Sequence, residues 1–240
     1  MKSFRYFISE AGGADAGKLE IVRTKVQTAK DYAEKIMKDN GKTLSQEVPD
    51  FDKNYVFAQR LAKMGSTKRK DMPVINNKDV KLLQKRLKAG TIDIARPFAK
   101  NDVVDDPYPQ GLKGDEAKQW VNGGLAKNDG DPDDDKVDVK VKKVAVGKLV
   151  PIQEQIYFDK SIRNVAKNGA QGTRDFAEAK DNFYIVSEDN RIIDGHHRFL
   201  SAVLVDPSIK VSCLEISLPI RDLLPMTTAY SDAIGNVRNK

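Results

Sequence analysis

The chain changes character twice along its length. Between residues 91 and 135 it runs through RPF, DDPYPQGLKGD and NDGDPDDD. These Pro, Gly and Asp residues lock φ, free it, or bond the local backbone, and so interrupt both helix and strand. This stretch therefore reads as a linker or loosely ordered region, and a domain starts after it at Lys136. Residues 1–90 read as a basic, mainly helical N-terminal region, 91–135 as an acidic linker, and 136–240 as strands interleaved with helices. The expected class is α+β, a C-terminal mixed sheet with flanking helices preceded by the helical front.

Charge follows the same partition. Residues 1–90 carry 20 basic and 11 acidic side chains, residues 91–138 carry 6 and 12, and residues 139–240 carry 15 and 12. The sum is +6, with an isoelectric point near 9.1. A basic front beside an acidic middle can meet a polyanion such as DNA, or simply the acidic stretch next to it. At 240 residues, with 40% apolar and 32% charged side chains, the chain can bury a core without disulfides. No apolar run approaches the roughly 20 residues of a spanning helix, so no membrane role is expected. The single cysteine, Cys213, lies in the alternating run VSCLEISL, and the opening MKSFRYFISEAGG lacks an apolar signal region. Both features point to a cytoplasmic protein.

In the front region, Val26, Ala29, Ala33, Ile36 and Met37 recur at helical spacing within Thr24–Asn40, and Gly41 follows as a cap. Further helices are expected over Asn54–Met64 and Lys78–Ala89. Between them lies SerThrLysArgLys, residues 66–70, which can donate to phosphate but has the composition of an ordinary solvated turn. In the middle, Asp115–Val121 around Trp120 is predicted helical. Asp129–Asp135 has the acidity of a calcium loop without its alternating ligand spacing, which argues against a metal there.

From Lys136 the alternation of Val137, Val139 and Val141, followed by Val144 and Val146 in the opposite phase, predicts a strand with a bulge near Lys142–Lys143. LeuValProIle, residues 149–152, leads into a predicted short helix carrying Gln153 and Gln155, and polar helices or loops follow to Lys180. Strands are expected at Phe183–Val186, Arg191–Ile193 and Val211–Leu218, and helices at His197–Val205 and Ile220–Leu224.

One segment concentrates chemistry. Two short apolar strands deliver the chain to Asp194-Gly195-His196-His197-Arg198, and a helix begins there. Glycine allows a tight turn and close approach of a ligand to the backbone. The first helical turn presents unbonded N–H groups and the positive end of the dipole, and a guanidinium adds a forked donor. This is the pattern of a phosphate site, and both histidines of the chain fall in it. Zinc suits it poorly, since adjacent histidines point to different sides of a helix and no third His or Cys is near. No Gly-x-Ser-x-Gly elbow is present.

At these residues the sequence resembles the ParB/sulfiredoxin superfamily, in its branch with an Asp-Gly-His-His-Arg box. The likeness covers about residues 140–225: the strand KVDVKVKKVAV, the Leu149, Pro151, Gln153 element, the hairpin FYIVSEDNRII, the box 194–198, and the strand and LeuLeuPro that close the region. Nothing in residues 1–135 takes part. The sulfiredoxin Gly-Cys-His-Arg and the partition-protein Gly-Glu-Arg-Arg are both absent, because His196 stands at the second position and His197 at the third. The resemblance therefore implies a magnesium-dependent site for ATP or another nucleoside triphosphate that performs phosphoryl transfer or hydrolysis. In it Gly195 and the backbone after it cradle phosphates, with Gln153 beside them. His197 and Arg198 balance charge, Asp194 holds magnesium or orients His196, and Glu154 is the candidate base. Two alternatives stand beside this reading. One is a ParB-like nuclease using Asp194 and the histidines around a metal; the other is a non-catalytic module that binds DNA or a partner through the basic front. The opening MKSFRYFISEAG resembles the start of many tailed-phage proteins, which would place the chain in a host cytoplasm.

Overall fold

The computed structural model describes residues 18–92, 94, 115 and 136–237. The opening segment, the expected helix at 115–121 apart from Asp115, and the acidic run 129–135 lie outside the described residues.

Four helices form the front: α1 (Val26–Asp39), α2 (Leu44–Glu47), α3 (Phe51–Ala62) and α4 (Asn77–Ala89). Three of them lie where apolar spacing placed them. Gly90, at φ 64°, ends α4 in the left-handed cap that glycine adopts without strain. The rest is β1 (Val139–Ala145), β2 (Val150–Pro151), α5 (Phe158–Glu178), β3 (Tyr184–Ser187), β4 (Arg191–Asp194), α6 (His196–Val205), β5 (Lys210–Ile216) and α7 (Ile220–Ala233).

The strands make one mixed sheet in the order β1-β5-β3-β4-β2. β1 is antiparallel to β5, β5 parallel to β3, β3 antiparallel to β4, and β4 parallel to β2. β3 is buried along its whole length, as expected of a central strand covered on both faces. On one face Tyr184, Val186, Ile192, Val211 and Cys213 pack with buried residues of α1, α3, α5 and α6. On the other, Ile185, Ile193, Leu214 and Ile216 pack with α4 and α7. The first cluster runs from Ile21 to Cys213 and the second from Met72 to Tyr230. The helical front thus shares both cores with the sheet region.

Four local expectations change. β1 pairs with β5 over seven consecutive positions without a bulge, and the register shift falls between Ile185 and Val186 instead. The phase change in β1 reflects an edge strand that sends Val139 to one core and Val144 to the other. Residues 153–155 form no helix, because the Gln153 N–H goes to His196 and the Glu154 N–H to Thr67 of the front region rather than to their own turn. The polar stretch after them is the long helix α5, broken at Gly169 (φ 74°). Finally, α7 runs through Pro225 to Ala233. The Thr227 hydroxyl donates to the carbonyls of Leu223 at 2.7 Å and Leu224 at 3.0 Å, re-using acceptors beside the proline break.

Candidate functional site

The site is built where β4 stops. Gly195 has φ 106°, and a Cβ there would lie 3.0 Å from Arg198 Nη2 and 3.1 Å from Tyr184 Cδ1, so the turn needs glycine. α6 begins at the next residue with no side-chain cap on its N-terminus. Its far end is held by the front region, since the Asn54 amide, 4% exposed, donates to Leu204 O at 2.9 Å.

Each side chain of the box has a defined partner. His196, buried at 4% exposure, accepts the N–H groups of Ile152 at 3.2 Å and Gln153 at 3.3 Å on Nε2. It also bonds the Ile192 backbone, which assigns the proton to Nδ1. Burial, and then the Arg198 charge, push its pKa down to about 3, so the ring is neutral. His197 Nε2 accepts the Tyr157 N–H at 3.2 Å, and the two rings stack with centroids 6.0 Å apart. Burial, followed by the charge of Arg69, holds it below the ordinary histidine value.

Arg198 departs from expectation. Its guanidinium turns back over the Tyr184 ring, 5.1 Å from the centroid, rather than forking out from the helix. Nη2 pairs with Asp194 Oδ2 at 2.6 Å and donates to Phe183 O at 3.3 Å, while Nη1 donates to Asn182 Oδ1. The Asp194 side chain, 31% exposed, is the anion that Arg198 answers. Burial raises the Asp194 carboxyl against the pull of Arg198 and the Gly195 N–H. The box therefore works first as a fastening. His196 ties β4 to the segment after β2, His197 ties α6 to the start of α5, and Arg198 ties the end of β4 to the entry of β3.

Gln153 and Glu154 lie on the segment that His196 holds. The Glu154 N–H donates to Thr67 O at 2.9 Å, and Ser66 and Thr67 both donate to Ile152 O at 2.9 Å. Thr67 and Gln153 form a parallel bridge, and Gly65 approaches so closely that a Cβ would lie 2.5 Å from Gln153 O. On the other side Ile21 N–H bonds Ile156 O at 3.0 Å and Phe158 N–H bonds Leu19 O at 2.7 Å. The front region thus grips residues 152–158 from both sides. Among the described residues no hydrogen bond or ion pair joins the Glu154 carboxylate to the box.

Sequence reasoning did not reach Tyr157, Lys160 or Asn182, and it took Tyr184 only as part of a strand. Arg69 belongs to the basic run 66–70, whose composition gave no sign of this docking. Its N–H donates to Gln155 Oε1 at 3.1 Å, and its guanidinium lies 5.3 Å from the Tyr157 centroid, with Lys160 Nζ at 5.5 Å. Cys213 is buried, and burial pushes its thiol up to about 12, which leaves it inert. Among the described residues no group of three or more His, Cys, Asp or Glu side chains can hold a metal ion. Nor is any described helix long and apolar enough to cross a membrane.

Comparison with protein-family models, with curated proteins and with solved structures finds no match to this chain.

Proposed function

We propose that the corner at the start of α6 binds the phosphates of a nucleoside triphosphate and that the protein is a nucleotide-dependent phosphotransferase or NTPase. One observation carries this reading. α6 opens at a positive-φ glycine with no side chain capping its first turn, and the charges around that turn at Arg69 and Lys160 are positive. N–H groups, helix dipole and cations then favour the same ligand, an anion. The likeness to the ParB/sulfiredoxin superfamily, carried by residues 194–198, gives the same chemistry.

The side chains take roles fitted to their geometry. Gly195 makes the turn against which Arg198 and Tyr184 pack, and the N–H groups of the first turn of α6 after it are the donors offered to phosphate. His196 and His197, neutral and bonded to the main chain, hold the walls. The Arg198–Asp194 pair fixes the strand-to-helix turn. Magnesium is usually held by one or two carboxylates together with substrate phosphates. Asp194 is the one box carboxylate, and it is already paired with Arg198, so magnesium would arrive as the nucleotide's own counter-ion. With ATP and magnesium, calorimetry should give saturable heat and a phosphate-release assay should show turnover. Absence of heat with ATP, ADP and CTP alike would overturn the reading.

A second reading is favoured by the fastening role of the box. Because His196, His197 and Arg198 all hold structure, the corner can serve as a non-catalytic ligand sensor. Heat without turnover selects it.

A further inference from the structure

Away from the α6 corner, one surface carries more charge than its fold requires. α4 turns Val80, Leu83 and Leu87 into the second core. Its opposite side holds Lys78, Lys81, Lys85 and Lys88, spaced three and four residues apart, and all of them are exposed. That spacing sets the lysines in one row along the helix, where like charges repel and weaken it. A plain solvated face mixes signs instead, as α1 does with Asp31, Glu34, Lys35 and Lys38. Among the described residues no hydrogen bond or ion pair engages any lysine of the row. Asp79, the carboxylate of α4, is taken by the amides of Asn76 and Asn236. Asp138, which feels the charge of Lys88, is paired with Lys140 at 2.6 Å. Leu82, 44% exposed, stands within the row.

We infer that this face of α4 docks along the sugar-phosphate backbone of double-helical DNA, whatever the base sequence. From residue 78 to residue 88 the helix advances about 15 Å. Over that length one strand of a duplex sets out about four phosphates. A row of ammonium groups on one rigid rod thus meets a row of anions on another. Lysine is a compact charge that grips phosphate oxygens without reading base edges, and Leu82 adds an apolar contact for a sugar. Single strands are held by stacking their bases on aromatic rings, and α4 carries no aromatic residue. α4 covers the sheet face opposite to α6, so the inference stands independently of nucleotide binding.

The test follows binding of the full chain to a short DNA duplex as salt is raised from about 50 to about 200 mM. Wild type should bind duplexes of unrelated sequence within about threefold of one another. Changing Lys78, Lys81, Lys85 and Lys88 together to Gln should cut the slope of log affinity against log salt by about three to four, and weaken binding at low salt by about a hundredfold or more. Each single Lys→Gln substitution in the row should take about one off the slope, which keeps the test independent of how the combined variant folds. The combined variant should melt no lower than the wild type, because a repelling row has been neutralised. Lys35→Gln with Lys38→Gln, on the exposed side of α1, is the charge control and should leave the slope within about one of the wild type. An unchanged slope in the combined variant, or tighter binding to the matching single strand or RNA duplex, overturns the proposal. So does a wild type that ignores DNA, including one that binds only after Asp131, Asp133, Asp134 and Asp135 are changed to Asn, where the row belongs to the chain's own acidic run.

Discussion

At the scale of single residues, the neutral histidines decide how the corner responds to acid. His196 carries a proton in the unfolded chain below its ordinary value of 6.5, whereas in the fold that value falls to about 3. As pH drops below 6.5 the unfolded state gains a proton that the native state refuses, so stability is lost on acidification. The slope from this one group is about 1.4 kcal/mol per pH unit. Protonation would also turn Nε2 from an acceptor into a donor facing the N–H groups of Ile152 and Gln153. Urea unfolding between pH 7 and pH 4 should show this decline, and His196→Gln should reduce it to the share that His197 contributes, while lowering stability at pH 7 by about 1–3 kcal/mol. An unchanged slope in the variant would remove His196 from the account. Arg198→Ala is expected to cost about 2–3 kcal/mol in the same assay, because Asp194 loses its counter-charge in a partly buried place.

At the scale of elements, the docking of the loop after α3 onto residues 152–155 is the contact on which the corner depends. Gly65→Ala places a Cβ 2.5 Å from Gln153 O and 2.8 Å from its carbonyl carbon, and backbone cannot yield as a side-chain tip would. The loop should detach, and trypsin should then cut at Lys68, Arg69 or Lys70 faster than in the wild type by about an order of magnitude or more. Equal cleavage rates would mean that the loop is already open. This contact also shows where sequence reading stopped. Helices α1, α3 and α4 were legible because a 3.6-residue apolar period and following glycines mark a helix wherever it packs. The strand-to-helix turn at Gly195 was legible because its residue types are rare in combination. The non-helical course of 153–155 was not, since its bonds run to Thr67, Arg69 and His196, partners far away in the chain that leave no local period. The direction of the Arg198 side chain was hidden for the same reason: Asn182 and Phe183 receive it.

At the scale of the whole molecule, composition divides the chain where packing does not. Ile21, Ala29, Met37 and Tyr55 share one cluster with Phe158, Tyr184 and Phe199, and Leu83 and Leu87 share the other with Leu214 and Leu223. Residues 136–240 expressed alone would lose the part of the cover that α1, α3 and α4 give to the two faces of the sheet, and they are expected to give a poorly dispersed amide spectrum and non-cooperative unfolding. A cooperative, well-dispersed fragment would contradict the shared core. The same packing explains how basic residues of the front reach a corner whose motif lies entirely in the C-terminal half. The central claim, that this corner grips phosphate, is tested most directly by following backbone amide signals of the full chain during titration with ADP and magnesium. The account predicts that Gly195, His196, His197 and Arg198 shift first and furthest. Saturating nucleotide that leaves those signals in place would contradict it.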